Sequence, residues 1–323
     1  MSIKIGCCGF QEARSKYYDE FRLVEIQQTF YQPPPVGTAF KWRSQAPADF
    51  EFSIKAWQLI THEGGNSSYR NLREKLSARA LASCGHFKPT RMVFDAWRRT
   101  EAIAEALNAR IIIFQTSKSF RPTHINIKNV RNFFRRINRR KYLFVWEPNS
   151  KWPIETIQEL CQELNLIYTA EPYNENAQNF GPIRYYRLRG KSGFRSRYEK
   201  ADFEKFIQMD LNSTPCYFVF NNASMLFDAR NFLNLVKQRE LEKQSEGAPE
   251  PTSITGEKEG IEGNGELIDS GSLEPDADMP ETANEADDST PPLESEIKTS
   301  TKEPADSQPA EKEAEEKSNA GVD

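Results

Sequence analysis

The sequence predicts an α/β fold, a (β/α)8 barrel over residues 1–240, followed by an acidic segment over residues 241–323 that has no folded core. Eight short apolar runs alternate with helical patterns, and about 240 residues suffice for eight strand–helix units around one core. Charge separates the two parts: residues 1–240 carry 37 Lys and Arg against 23 Asp and Glu, whereas residues 241–323 carry 6 against 24. A doubly wound open sheet is the alternative architecture.

The predicted strands are short runs rich in branched and aromatic residues, a composition that buried parallel sheets favour. They are Ile3–Cys8, Leu23–Gln28, Phe50–Ala56, Arg110–Gln115, Tyr142–Glu147, Leu166–Ala170, Arg184–Arg189 and Cys216–Asn221. The helical patterns have apolar residues three or four positions apart, and the pattern after the first strand is short and weak. They include Ala96–Leu107, Val130–Ile137, Ile154–Leu164, Phe203–Met209 and Met225–Arg239, and the pattern is clearest over Thr100–Ala109 and Ile154–Asn165.

Residues 241–323 contain no aromatic residue, and Glu, Asp, Ser, Thr, Pro and Gly dominate their composition. Such a segment cannot bury enough apolar surface to offset its chain entropy, so we expect it to be disordered. One interpretation is a solubilising spacer. The other is an acidic competitor that folds back over the basic barrel, because the two share one chain and therefore have a high effective concentration.

Several classes of protein are excluded by composition. No run approaches eighteen apolar residues and the first ten residues lack a signal-peptide pattern, which predicts a cytoplasmic protein that does not bind a membrane. Five scattered cysteines favour reduced thiols over a disulfide framework. His62, His86 and His124 stand far apart and no HxH, HExxH or CxxC motif is present, so we expect no zinc site made of histidine and cysteine.

Polar residues follow the apolar part of several predicted strands, at the alternate positions whose side chains face the barrel interior. Because (β/α)8 barrels place their sites at the carboxyl ends of the strands, these residues are the candidates for a shared site. They are Glu25, Lys55, Gln115, Glu147, Arg187 and Asn221. The structural alternative is a buried ion pair between Glu25 and Arg187, with Gln115 and Asn221 satisfying loop backbone groups.

The candidate catalytic residues are Glu25, Lys55, His62, Glu147 and Glu171. Glu147 and Glu171 come from consecutive strands, which suits a general acid and base pair or a carboxylate-bound divalent cation. Lys55 is suited to stabilise developing negative charge. His62 can supply a proton near neutral pH, although a single loop histidine is more often structural.

The loop after the seventh strand combines cations, aromatic rings and glycines. Arg187, Arg189 and Arg197 offer guanidinium groups to phosphate oxygens, and Tyr198 offers a ring on which an unpaired base can stack. Barrels frequently bind phosphate in this region. By contrast, the arginine row that begins at Arg131 on a predicted helix is most simply a solvated outer face.

Several short motifs, in order and with characteristic spacing, resemble the YecE-like family, also called domain of unknown function 72. They are Gly6-Cys7-Cys8-Gly9-Phe10, Val24-Glu25-Ile26 with Thr29-Phe30-Tyr31, Phe52-Ser53-Ile54-Lys55 with Ile60-Thr61-His62, Phe114-Gln115, Trp146-Glu147-Pro148 with Trp152, Tyr186-Arg187-Leu188-Arg189-Gly190, and Phe220-Asn221-Asn222. The resemblance spans residues 3–236. It implies a TIM barrel with an unassigned activity, and it adds Thr29, Tyr31, Trp152 and Asn222 to the candidate substrate-binding residues.

Three positions depart from the pattern of that family. Where the family usually has Arg, Asp and His, this chain has Asn149, Glu171 and Arg189. Arg189 keeps a positive charge but cannot shuttle protons at neutral pH.

The leading hypothesis for function is recognition of a phosphate-bearing ligand such as nucleic acid at the carboxyl-end face of the barrel, with hydrolysis of that ligand as an extension. In that hypothesis the arginines after strand seven hold phosphate, and Glu147 and Glu171 position water or a cation. The alternatives are an isomerase or hydrolase of a sugar or sugar phosphate, and a non-catalytic interaction module.

Overall fold

The computed structural model describes residues 3–169, 172, 181–209 and 214–246. Eight parallel strands form a nearly closed barrel with helices between them, which confirms the predicted (β/α)8 fold. The strands are β1 Ile3–Cys8, β2 Leu23–Ile26, β3 Glu51–Lys55, β4 Ile111–Gln115, β5 Leu143–Glu147, β6 Ile167–Tyr168, β7 Arg184–Leu188 and β8 Cys216–Phe220. Each lies within one of the runs predicted from sequence.

The described helices are α1 Arg14–Glu20, α2 Gln28–Tyr31, α3 Val36–Gln45, α4 Gln58–Thr61, α5 Ala78–Ala82, α6 Arg91–Ala106, α7 His124–Arg136, α8 Ile154–Leu164, α9 Lys200–Gln208 and α10 Met225–Glu246, with a 3-10 turn at Ser67–Asn71. Helix α8 has the predicted bounds. Helix α3 was not predicted, because among its residues only Ala39 is buried and its apolar pattern is weak. No described helix is long and apolar enough to cross a membrane.

The hydrogen-bonded order of the sheet is β6-β5-β4-β3-β2-β1-β8-β7, so β1 closes the barrel between the second and eighth strands. Gly6, for example, pairs with Leu23 on one side and with Val219 on the other. The residue after β6 contacts β7: Thr169 Oγ1 donates a hydrogen bond to the Tyr185 carbonyl oxygen at 2.5 Å. The carboxyl ends of all eight strands therefore face one side of the barrel.

Two buried layers follow from the alternation of side chains along each strand. The interior of the barrel is filled by residues such as Leu23, Ile113 and Val145, the parity predicted to face inward. The second layer lies between strands and helices and is strongly aromatic; Phe114 and Phe133, for instance, are both fully buried. Apolar side chains thus fill the barrel interior towards the amino ends of the strands, and the polar residues lie towards the carboxyl ends.

Candidate functional site

Arg187 at the end of β7 is the centre of a buried charge network. The residue is 2 % exposed, and its guanidinium makes two contacts with Glu25 from β2: Nη2 lies 2.7 Å from Oε1, and Nε lies 3.0 Å from Oε2. Its third nitrogen, Nη1, donates to Glu147 Oε2 from β5 at 2.7 Å. The predicted meeting of strand ends therefore occurs, and it joins two carboxylates through one arginine.

The second carboxylate is also fully engaged. Glu147 Oε2 accepts a further hydrogen bond from Gln115 Nε2 at 2.9 Å. Glu147 Oε1 forms an ion pair with Arg189, whose Nη2 also donates to Asn149 Oδ1 at 3.0 Å. Arg189 is about one-third exposed and forms the boundary between the buried network and the solvent.

Three neutral groups complete the buried side of the network. The Tyr185 hydroxyl donates to Glu25 Oε2 at 3.0 Å and lies 2.8 Å from Ser53 Oγ. The Cys8 thiol lies 3.4 Å from Glu25 Oε1. Side-chain alternation predicts that Ser53 and Tyr185 face the barrel interior; the structure shows that Tyr185 bonds Glu25 directly and that Ser53 contacts the Tyr185 hydroxyl.

Burial and charge oppose each other in this network. Burial alone raises the pKa of Glu25, but Arg187, helped by Lys55 and Tyr185, lowers that pKa below its ordinary value. Burial would lower the pKa of Arg187, yet the adjacent Glu25 raises it further above its ordinary range. Burial also raises the pKa of Cys8, so its sulfur remains a thiol at neutral pH.

Lys55 at the end of β3 is buried beside the network but is not part of its ion pairs. Its Nζ lies 3.7 Å from the centroid of the Phe30 ring, and among the described residues no hydrogen bond or ion pair holds it. Burial, followed by repulsion from Arg187, lowers the pKa of Lys55 to about 7 even though Glu25 opposes the shift. A large fraction of this amine is therefore neutral at physiological pH.

His62 packs against the same aromatic ring as Lys55. Its imidazole centroid is 4.8 Å from that of Phe30, and its Nδ1 is 2.8 Å from Thr61 Oγ1. Burial, with smaller contributions from Lys55 and His86, lowers the pKa of His62 to about 3. The ring is therefore neutral near pH 7 and has no imidazolium proton to supply.

The loop after β7 is held by internal contacts. Gly190 has φ +93°, and a Cβ there would lie 2.2 Å from the Gly193 carbonyl oxygen, so this close turn requires glycine. The Gly190 N–H donates to the hydroxyl of Tyr198, which is buried rather than available for stacking. Arg195 and Arg197 are both exposed; Arg197 lies 3.6 Å from Asp228 and stacks on Phe227.

The other predicted ligand-binding residues have mainly structural contacts. Thr29 Oγ1 donates to the Lys55 carbonyl oxygen at 2.7 Å, and the Tyr31 carbonyl oxygen accepts from Gln58 at 2.8 Å. Trp152 Nε1 donates to the Phe120 carbonyl oxygen at 2.9 Å. The remaining two candidates follow β8. Asn222 is buried, and its Nδ2 donates to Asp228 Oδ2 at 2.7 Å. Asn221 is partly exposed, and its backbone N–H donates to the Leu188 carbonyl oxygen.

The carboxylates do not form a cation site within the described part of the chain. No group of three or more His, Cys, Asp or Glu suited to a metal is found there, and Glu25 and Glu147 both bind Arg187. Glu171, the predicted partner of Glu147, lies outside the described residues. An arginine between two carboxylates neutralises the charge that would otherwise attract a divalent cation.

The loops above the network are strongly basic. Twelve Lys and Arg and four Glu occur in the described loops at this face, which are residues 9–13, 27–35, 56–90, 116–123, 148–153, 189–199 and 221–224. Several of the cations, including Lys118, Lys151 and Arg195, are exposed, and no ion pair to a described residue neutralises them. The face therefore combines a buried, charge-balanced centre with a positively charged periphery.

Fold and site together define a (β/α)8-barrel protein with a buried charged centre at the carboxyl ends of its strands. The chain belongs to the family described as protein of unknown function DUF72, whose model matches residues 8–254. This confirms the resemblance seen in the sequence motifs. Two departures from the usual family pattern meet in the structure, because Arg189 contacts Asn149 directly.

Solved structures support the same fold. A DUF72 family protein from Enterococcus faecalis is 15 % identical, with a TM-score of 0.53 over 73 % of this chain and 94 % of that one. A DUF72 family protein from Thermotoga maritima is 16 % identical, with a TM-score of 0.50 over 73 % of this chain and all of that one. The comparison with curated proteins gave no match.

Proposed function

We propose that this protein binds a phosphate-bearing ligand, such as a nucleic-acid strand, at the carboxyl-end face of its barrel. The observation that carries the proposal is the charge of the described loops around the site, which have twelve Lys and Arg against four Glu. A basic surface attracts negatively charged phosphate groups over a distance, and the counterions that a nucleic acid releases on binding add to the affinity. The internal ion pairs keep the centre charge-balanced, so the periphery provides the attraction.

Binding, rather than hydrolysis, is what the described residues support. Glu147 accepts from Gln115 and pairs with Arg187 and Arg189, so its carboxylate is not free to activate water. Arg189 stands at the solvent boundary of this cluster, where a guanidinium can turn from a carboxylate to a phosphate with similar geometry. The ligand phosphate would then compete with Glu147 for Arg189.

The test is fluorescence anisotropy of the full chain with labelled single-stranded DNA, duplex DNA and RNA across a salt series. A variant with Lys118→Ala and Arg195→Ala removes two exposed cations from the loops at the carboxyl-end face. The matched control, Arg110→Ala with Lys141→Ala, removes two cations next to the amino ends of β4 and β5. We expect the first variant to bind about tenfold more weakly at low salt. Its slope of log affinity against log salt concentration should be smaller by about one to two, whereas the control should change neither quantity.

Equal losses in the two variants, or no binding by the wild type at low salt, would contradict the proposal. The acidic segment can be tested in the same assay with a chain that ends at residue 246. If residues 247–323 act as an acidic competitor, their removal increases affinity most at low salt, whereas a solubilising spacer leaves affinity unchanged.

A further inference from the structure

The environment of Lys55 is unusual for a buried lysine. All four carboxylate oxygens of Glu25 and Glu147 already have partners, which are Arg187, Arg189, Gln115, Tyr185 and Cys8. The amine of Lys55 instead lies over the Phe30 ring, with its side chain 4 % exposed at the carboxyl end of β3. No described carboxylate pairs with this amine, so burial disfavours its charged form and favours a neutral amine with a free lone pair.

From this arrangement we infer that Lys55 is a nucleophilic amine that forms an imine with the carbonyl carbon of an open-chain sugar phosphate. The Nζ lone pair adds to the carbonyl carbon, and the resulting carbinolamine loses its oxygen as water together with the two nitrogen protons. One C=N bond replaces one C=O bond, and no oxidant or reductant is needed. The imine nitrogen then withdraws electrons from the neighbouring carbon of the sugar.

The phosphate part of this substrate class rests on the proposed function, because it uses the basic loops around the site. Repulsion from Arg189 also lowers the pKa of Lys55. The side chain of Arg189 is partly exposed to solvent above the network. A ligand whose phosphate contacts these cations would present a sugar carbon near the buried amine. Two sources share this chemistry: the ring-opened sugar of an abasic site in nucleic acid, and a small sugar phosphate.

The titration of Lys55 agrees with the geometry. Burial and Arg187 lower its pKa to about 7, Glu25 and Cys8 oppose this shift, and Arg189 adds to it. His62, which packs on the same Phe30 ring, is neutral because burial lowers its own pKa. Cys8 does not compete as a nucleophile, because burial raises its pKa and keeps it a thiol. An amine of this kind attacks carbonyl groups at neutral pH.

The test is reductive trapping with sodium cyanoborohydride on the full chain. The probes are a single-stranded oligonucleotide with one abasic site and, separately, ribose 5-phosphate. We expect a stable secondary amine on Lys55, located by peptide mass spectrometry of the wild type, with a rate that rises with pH and reaches half its plateau near pH 7. Lys55→Arg should lower trapping at least about tenfold, because guanidinium is not a nucleophile. Lys128→Ala and Lys237→Ala, which remove exposed lysines of α7 and α10 outside the basic loops, should leave trapping unchanged.

Each result bears on the inference. Trapping on Lys55 with either probe supports it, and the probe that reacts identifies the source of the sugar. Adducts spread over exposed lysines, or equal trapping by wild type and Lys55→Arg, would overturn it; the peptide map of the wild type decides this even if the variant does not fold. Salt-sensitive binding without trapping refutes the imine alone, whereas trapping of ribose 5-phosphate without salt-sensitive nucleic-acid binding refutes the nucleic-acid form of the proposed function alone.

Discussion

Two arginine–glutamate clusters in this protein have the same chemistry and opposite surroundings. At the end of the barrel, Arg187 joins Glu25 and Glu147, and the arginine side chain is 1 % exposed. On the outer surface, Arg131 of α7 and its neighbour Arg135 share Glu163 of α8, with distances of 2.7 and 2.5 Å. The hydrogen-bond lengths are similar, so geometry does not distinguish the two clusters.

Solvent does distinguish them. The side chain of Arg135 is 64 % exposed, so water and salt screen its pair with Glu163 and ordering both side chains costs entropy. Arg187 and its carboxylates lost their hydration on folding, and only a complete set of partners offsets that cost. A buried cluster should therefore be strongly sensitive to the loss of one member, and the surface cluster nearly insensitive.

The largest expected effect is that of Arg187→Ala. It leaves Glu25 and Glu147 buried next to each other without their shared cation, which should lower the free energy of unfolding by about 3–5 kcal/mol. Urea denaturation followed by circular dichroism measures this change. Adding Glu25→Gln and Glu147→Gln to an Arg187→Met chain removes all three charges and should restore part of the loss. A loss below about 1 kcal/mol for Arg187→Ala would show that the centre is hydrated.

Tyr185→Phe should have the next largest effect. The hydroxyl of Tyr185 is fully buried and donates to the charged Glu25 oxygen, so its removal should cost about 1.5–3 kcal/mol. Tyr217→Phe is the matched control, because Tyr217 donates to Glu51, whose side chain is 37 % exposed. We expect the control to lose about 1 kcal/mol or less in the same denaturation experiment. Equal losses would mean that burial of the carboxylate does not matter.

Lys55→Met should change the pH dependence of stability. The folded-state pKa of Lys55, about 7, lies below its ordinary value of 10.5, so the unfolded chain binds more protons between these values and wild-type stability rises with pH. From pH 7 to 8.5 this contribution amounts to about 1–2 kcal/mol, and it should be missing from the methionine variant. Thermal denaturation of both chains at several pH values measures it. Parallel curves for the two chains would refute the lowered pKa.

The smallest effect is expected for Arg135→Ala, which removes one member of the surface cluster. Its loss should be about 0.5 kcal/mol or less at low salt and should vanish at high salt, because the pair is exposed. The Arg187→Ala loss should hardly depend on salt, because counterions do not reach a buried pair. Denaturation of both variants at low and high sodium chloride completes the comparison of the two clusters.

Much of the fold could be predicted from local patterns. Apolar runs located all eight strands, and alternation assigned residues such as Ile113 and Tyr185 to the barrel interior. Helix α8 was predicted to the residue because its buried positions recur every three or four residues. Helix α3 was missed because its amphipathic pattern is weak and, among its residues, only Ala39 is buried.

Less of the site could be predicted. Parity placed Glu25, Glu147 and Arg187 at one end of the barrel, but residue types do not say which oxygen each guanidinium nitrogen contacts. His62 was a candidate proton donor by its ordinary pKa, and its burial changes that expectation. Tyr198 was a candidate stacking platform and instead supports the turn at Gly190. Burial and contacts, which are not local properties, decide these roles.

The sequence by itself determined the strand and helix order, the inward parity and the basic character of residues 1–240, because these depend on local propensity, periodicity and residue counts. Tertiary structure decided which charges neutralise each other and which amine has no ion pair among the described residues. Closing the barrel brings β2, β5 and β7 to a common centre, removes water from it and assigns both carboxylates to Arg187. Among the described residues, Lys55 pairs with no carboxylate, and its burial lowers its pKa, because proton affinity depends on the solvent and partners that the fold supplies.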